Sequence, residues 1–121
     1  MAQGVGTAEL AYLGDAVFEI MVREMLLQQE LSFHDLSPTA TKYVSATAQA
    51  QMYHRIFPTL TEEEQAYAKR GRNLHSGSRS KSSSVTDYRH ATGLEALFGW
   101  LYLEKNETRL REIFELCILT V

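Results

Sequence analysis

Several residue types are scarce in this sequence, and each shortage narrows what the protein can be. Its 121 residues include a single cysteine, Cys117, which excludes an internal disulfide or a multi-cysteine metal cluster and favours a reducing compartment. Charged residues interrupt every longer apolar stretch, and residues 1–9 lack the basic and apolar parts of a secretion signal. We therefore expect a protein without a membrane partner, located in the cytosol or, after processing, in an organelle.

The residues that are present indicate one helical domain covering residues 1–121. Apolar residues make up 45% and charged residues 22%, which is enough to bury a real core and unlike a disordered chain. Two prolines, seven glycines and little strand-type alternation predict an all-α fold of about six helices. The predicted helical stretches are residues 7–29, 37–57 with a second start at Ser45, 61–72, 86–105 and 107–119.

Capping residues suggest where these helices begin and end. Thr7 is the predicted cap of the first helix, and Ser37 followed by Pro38 is the predicted start of the second. Pro58 should end the stretch that includes Ser45. Thr61 with Glu64 has the spacing of a capping box, which is a structural motif.

The first predicted helix is apolar on nearly every side. Between Leu10 and Val22 its only charged residues are Asp15 and Glu19. A helix of this kind is normally buried on more than one side, and in so small a domain a second copy of the chain could cover the second side. The pattern therefore predicts a homodimer.

Two carboxylates lie alone in apolar helical windows. Asp15 and Glu95 would be costly there as bare charges unless they were paired or bound to a metal ion. One interpretation is a set of structural ion pairs with Arg23, Arg89 or His90. The other is that two helices cross and bring Asp15 and Glu95 to one divalent cation, most simply Mg²⁺, for work on a phosphodiester. Glu19, one turn after Asp15, is a weaker metal ligand candidate.

The positive charge of the chain is concentrated in one segment. Residues 69–90 carry a local charge of +5 and the remaining residues −8, so the net charge of −3 does not argue against nucleic acid. Within it, residues 75–86 form a polar, serine-rich loop that we predict to be flexible. A solvated loop without a ligand is the alternative. The predicted RNA-binding residues are Lys69, Arg70, Arg72, Asn73, His75, Ser76, Arg79, Lys81 and Arg89.

Other residues that could carry chemistry are less informative. His54, His75 and His90 are too scattered along the chain to predict a zinc site. Cys117 lies in an apolar helical stretch and is predicted to be a core residue.

Two of these stretches resemble motifs of a known family. Residues 12–19, YLGDAVFE, resemble the signature helix of the ribonuclease III family, and residues 94–97, LEAL, resemble its second motif. Further blocks at 43–50, 60–64, 70–73, 76–77 and 88–89 are similar, in the same order, to Mini-ribonuclease III. That branch is the short form of the family, without a double-stranded-RNA-binding domain.

The resemblance implies a helical endoribonuclease that works as a homodimer and cleaves double-stranded RNA with Mg²⁺, for which Mn²⁺ can substitute. It implies Asp15 and Glu95 as catalytic and metal-binding residues. It also implies maturation of the 23S ribosomal RNA precursor in the bacterial cytoplasm, with a ribosomal protein as a potential helper. Ala8, Ala11 and Thr92 stand where full-length members have further acidic residues. This thinner carboxylate set leaves open a catalytically silent RNA-binding or scaffold module.

Overall fold

The described part of the chain forms six α-helices, and the fifth lies at the centre of the bundle. The computed structural model describes residues 4–74 and 84–119, and these confirm the predicted all-α fold. The fifth helix, α5, contacts α1, α3, α4 and α6, and α2 lies against α1 and α3. None of the described helices combines the length and apolar composition needed to cross a bilayer. The helices are α1 (Thr7–Leu27), α2 (Phe33–Val44), α3 (Ala46–Ile56), α4 (Glu62–Arg72), α5 (Val85–Leu103) and α6 (Glu107–Ile118).

Two predicted helix starts are wrong. Gly6, not Thr7, is the N-cap of α1, and Thr7 is already helical. Helix α2 begins at Phe33, so Pro38 lies inside it and Ser37 does not cap it. The reason is an apolar stripe at i, i+4 and i+8, formed by Leu36, Ala40 and Val44, which packs against the core on both sides of Pro38. The free energy gained by burying this stripe exceeds the free energy lost with the one backbone hydrogen bond that proline cannot donate.

The other capping predictions are confirmed. Ser45 caps α3, and its side chain accepts a hydrogen bond from the Ala48 amide at 3.2 Å. Pro58 lies in a single 3-10 turn that ends this stretch. Thr61 and Glu64 form both hydrogen bonds of the capping box, at 2.9 and 3.1 Å.

Aromatic rings from three helices fill the centre of the core. Phe18 of α1 packs edge-on against Phe98 of α5 and Phe114 of α6, with ring centroids 5.2 and 5.7 Å apart. Cys117 is fully buried, as predicted, and burial raises the pKa of its thiol to about 12. A thiol of this kind is inert near neutral pH, so Cys117 acts as a core residue.

A buried ion pair joins the start of α4 to α6. The Arg109 guanidinium donates Nε–H to Glu64 Oε2 at 2.8 Å and Nη2–H to Glu64 Oε1 at 2.9 Å. The hydrogen bond from Arg109 lowers the pKa of Glu64, although burial opposes it. Since Glu64 also completes the α4 capping box, one carboxylate stabilises both the helix start and the packing of α6.

Candidate active site

Helices α1 and α5 cross at two glycines, and this crossing positions the two acidic residues. A Cβ atom added to Gly14 would overlap the Glu95 carbonyl, and one added to Gly99 would overlap the Leu10 carbonyl. The backbones can therefore approach this closely only because neither residue has a side chain. Asp15 follows Gly14 directly, so its side chain leaves α1 beside the turn of α5 that carries Glu95.

The carboxyl groups of Asp15 and Glu95 are neighbours. Burial is the main cause that raises the pKa of Glu95, to about 9, and the negative charge of Asp15 and a hydrogen bond between the two groups add to it. Asp15 itself is exposed and Glu95 is half-buried, so the pair opens to solvent on the α1 side. A pKa this high keeps Glu95 protonated near neutral pH while no cation lies beside it.

The structural ion pairs considered from the sequence are not seen in the described residues. Arg23 bonds to Glu19, with 3.1 Å between Nη2 and Oε1, and does not neutralise Asp15. His90 is directed at the Thr86 carbonyl of its own helix. Within residues 4–74 and 84–119, neither Asp15 nor Glu95 takes part in a salt bridge. Glu19 forms an ion pair with Arg23, and it is the weaker of the candidate metal ligands predicted from the sequence.

The carboxyl oxygens of Asp15 and Glu95 are suitable ligands for Mg²⁺. A close pair of carboxylates without a cationic partner is unstable when both are ionised, and a hard divalent ion relieves that repulsion. Mg²⁺ binds oxygen ligands, needs only one or two carboxylates and keeps several waters. No cluster of three or more potential metal-ligating side chains occurs in the part of the chain that the structure describes. Asp15 and Glu95 would therefore hold the ion together with water or substrate oxygens.

The predicted RNA-binding residues that the structure describes lie mainly in the last turn of α4. Lys69, Arg70 and Asn73 are exposed, and Arg89 is exposed in the first turns of α5. The guanidinium of Arg70 stacks over Tyr67 at 4.7 Å, whereas Arg72 Nε donates to Asn73 Oδ1 at 3.2 Å. The other predicted residues, His75, Ser76, Arg79 and Lys81, and most of the serine-rich loop, lie outside the described residues.

One group of residues was missed by sequence reasoning. His54 and His90 are 36 positions apart in the sequence, yet their ring centroids are 4.3 Å apart in the structure. The two histidines meet although they are distant in the sequence, because α3 packs against α5. Tyr53 lies beside both rings. Spacing within the sequence offered no signal for this contact, because it depends on how two helices meet.

Comparisons with known proteins agree with the fold and the motifs. The family model for the ribonuclease III domain matches residues 8–106. Over 107 residues, the chain is 46% identical to Mini-ribonuclease 3 of Symbiobacterium thermophilum and 48% identical to that of Brevibacillus brevis. In each case 88% of this chain is covered, with 82% and 80% of the relative.

A solved structure shows the same fold. The crystal structure of a Fusobacterium nucleatum protein superimposes with a TM-score of 0.87 at 33% identity, covering 98% of this chain and 95% of that one. Family model, relatives and fold agree over nearly the whole chain. The chain therefore belongs to the ribonuclease III family, in its Mini-ribonuclease 3 branch, and is a ribonuclease of that family.

Proposed function

We propose that this protein is a Mg²⁺-dependent endoribonuclease that cleaves double-stranded RNA, with Asp15 and Glu95 as its catalytic and metal-binding residues. The observation that carries the proposal is the contact between these two carboxyl groups at the α1–α5 crossing. Because the helix backbones touch there, both side chains are held on rigid elements. A carboxyl pair that lacks a protein cation in the described region is suited to receive one from solution.

The roles of the two carboxyl groups follow from their surroundings. Asp15 is exposed, so it can reach a phosphodiester at the protein surface. Glu95 is protonated in the metal-free protein and would lose that proton when the cation binds. Mg²⁺ bound there would supply positive charge to the scissile phosphate and lower the pKa of an attacking water. Mn²⁺, which accepts the same oxygen ligands, would be able to substitute.

The RNA duplex would be held by the basic end of α4 and the start of α5. Lys69, Arg70, Arg72 and Arg89 supply positive charge there, and Asn73 supplies hydrogen bonds. Phosphate contacts of this type recognise the shape of A-form RNA and weaken with salt. The predicted RNA-binding residues His75, Ser76, Arg79 and Lys81 lie outside the described residues and stay part of the proposal.

A second copy of the chain would cover the outer face of α1. Tyr12, Ile20 and Leu27 are 85%, 59% and 71% exposed, and with Ala16 they form one stripe along the helix. Exposed apolar side chains that are grouped on one face mark an interaction surface. We infer a homodimer, in which Asp15 borders the interface because it lies on the neighbouring side of the same helix.

The substrate follows from the resemblance and is part of the proposal. We propose that the duplex is a stem of the 23S ribosomal RNA precursor, cleaved in the bacterial cytoplasm, and that a ribosomal protein on that RNA assists. The relatives compared above come from bacteria.

The direct test is cleavage of an RNA hairpin and of a matched single strand, with Mg²⁺, with Mn²⁺ and with a chelator. Wild-type protein should cut only the hairpin and only with a metal ion, and Asp15→Asn and Glu95→Gln should be inactive. Glu24→Gln is the matched control, since it removes an exposed carboxylate from the same helix. RNA binding without cleavage by the wild type would favour the silent module instead.

The choice of RNA needs a second experiment. Precursor 23S ribosomal RNA incubated with wild-type protein should be cut at a few discrete positions within duplex segments, which primer extension would map. Cuts spread over many unrelated duplexes would contradict this substrate while leaving the nuclease activity intact.

A further inference from the structure

The histidine pair formed by His54 of α3 and His90 of α5 lies outside the candidate active site. The two rings are tilted by 42°, with centroids 4.3 Å apart, and the Tyr53 ring lies edge-on to His90 at 4.8 Å. His54 is exposed and His90 is half-buried. The two imidazoles contact each other near the surface and are not part of the hydrophobic core.

The hydrogen bond of His90 determines what its ring can do. His90 Nδ1 lies 2.8 Å from the Thr86 carbonyl oxygen, and a carbonyl can only accept. Nδ1 therefore carries the proton, and Nε2 of the neutral ring has none. His90 can donate from Nε2 only when the ring is doubly protonated, so any contact with an anion there takes up one proton.

The charges around the pair decide which ligand it fits. The positive charge of Arg72 lies near Tyr53, and Lys69 lies 5.8 Å from the ring of Phe57, which stacks on Tyr53. Cations on this side oppose a bound metal ion and favour an anion. The charged side chains adjacent in sequence or one helical turn away are Arg55, Asp87 and Arg89.

Asp87 is the one acidic residue in that group, and it lies one turn before His90. Its negative charge reduces the positive charge around the pair without outweighing the surrounding basic residues. The site therefore combines a positive surface with two nitrogen donors at the end of the bundle where α4 ends and α5 begins.

We propose that His54 and His90 form a phosphate-binding site for the RNA backbone, in which a phosphodiester oxygen accepts hydrogen bonds from both rings and His90 takes up a proton. This inference rests on the proposed function for the identity of the ligand. It extends the basic surface of Lys69, Arg72 and Arg89 onto α3. It also makes RNA binding dependent on pH over roughly pH 5–8, where imidazoles titrate.

The experiment measures the affinity for a short RNA duplex at pH 6 and pH 8, in metal-free buffer that prevents cleavage. The affinity of the wild type should rise from pH 8 to pH 6 by about tenfold more than that of the His54→Gln/His90→Gln variant, as expected for one charge-assisted contact. Calorimetry at pH 7 in two buffers of different ionisation enthalpy should show about half a proton more taken up by the wild type, as a tenfold change over two pH units requires. His34→Gln is the matched control, because His34 is exposed on α2, away from the pair.

A gain-of-function variant keeps the proposal testable even if the double variant does not fold. His90→Arg places a permanent cation at the site, so its affinity at pH 8 should approach that of the wild type at pH 6. The proposal is overturned if this variant binds no better at pH 8, or if the double variant keeps the full pH dependence. It is also overturned if the pair binds inorganic phosphate while RNA affinity is unchanged in the variants.

Failure of the proposed function gives a different result. If the wild type binds no duplex RNA at either pH, both proposals fail. If the wild type cleaves duplex RNA but the histidine substitutions leave the proton uptake unchanged, only the phosphate site fails.

Discussion

The Cα atom of Gly14 on α1 lies directly against the carbonyl of Glu95 on α5. A methyl group at Gly14 would overlap that carbonyl and would also lie 2.8 Å from the Gly99 amide. The atoms in the way belong to the backbone, so no rotamer change can make room. The same contact that joins the two helices therefore brings together the two acidic residues proposed for catalysis.

Gly14→Ala should strongly destabilise the protein. Overpacking a helix crossing costs about 1–3 kcal/mol and more where backbone must move, as it must here. Urea unfolding followed by circular dichroism would measure the loss. Gly6→Ala is the control, since a Cβ there would meet only the Glu9 carboxylate, the end of a flexible side chain. Equal stability of the two variants would contradict the tight crossing.

Glu95→Gln should abolish RNA cleavage. In the absence of metal ions it should also raise the free energy of unfolding of the protein. The pKa of Glu95 is raised to about 9 in the fold from a normal value of 4.5, so the folded state binds more protons between these pH values. Wild-type stability must then fall as the pH rises from about 4.5 to 9, whereas glutamine has no such cost.

Thermal unfolding from pH 5 to pH 9 would show this difference. The stability gain of Glu95→Gln should be small at pH 5 and should grow by up to about 1 kcal/mol for each pH unit above it, as expected when the folded state binds one more proton than the unfolded state. Glu24→Gln should show no such trend. A gain that is independent of pH would count against the carboxyl pair.

Arg109→Met should lower the free energy of unfolding by about 3 kcal/mol near neutral pH. The substitution leaves Glu64 buried without its cation, and breaking one side of a buried pair is the costly case. Arg111→Met on the exposed side of α6 is the control, expected within about 0.5 kcal/mol of wild type. Urea unfolding of the three proteins at pH 7 would measure both differences.

The pH dependence of the same variant has a definite sign. The pKa of Glu64 is lowered in the fold, chiefly by the hydrogen bond from Arg109, so the ion pair stabilises the protein above the unfolded-state value of 4.5. That stabilisation is lost as the pH falls through the lowered value. The gap between wild type and Arg109→Met should therefore narrow below pH 4.5, and a constant gap would contradict this origin.

Arg70→Ala should weaken binding of duplex RNA without unfolding the protein. Loss of one phosphate contact reduces the slope of log affinity against log salt by about one, for all duplex sequences alike. Fluorescence anisotropy at several salt concentrations would give the slope. Arg111→Ala is the control, and an unchanged slope for Arg70→Ala would exclude Arg70 from the RNA-binding surface.

Ile20→Asp should convert the proposed dimer to a monomer. Ile20 is 59% exposed, so the substitution has little effect on the core of one chain but places a charge in the interface. Sedimentation at micromolar concentration would compare it with Glu24→Gln. A wild-type protein that sediments as a monomer would contradict the interface on α1.

The sequence predicted well what depends on local signals and on isolated charges. The capping box at Thr61 and the start at Ser45 were predictable because a cap is a short-range hydrogen bond. Asp15 and Glu95 stood out because a carboxylate in an apolar helix needs a partner. That these two residues act on RNA is a proposal that awaits its test.

What the sequence could not predict depends on packing between distant segments. Pro38 suggested a helix start, but burial of the stripe that includes Leu36 and Ala40 decided where α2 begins. The His54 to His90 contact and the Glu64 to Arg109 pair join helices with no local pattern between them. Both required the relative placement of whole helices, which spacing alone does not contain.

The ring stack of Tyr67 on Trp100 gives the protein a built-in optical reporter. The chain has one tryptophan, and its ring lies 4.4 Å from Tyr67, nearly parallel, with the Arg70 guanidinium on Tyr67. Tryptophan fluorescence therefore comes from one buried indole on α5, and this indole contacts the basic end of α4 through Tyr67. Any ligand that draws Arg70 away from Tyr67 alters the environment of that indole, so an unlabelled duplex could be followed through intrinsic fluorescence.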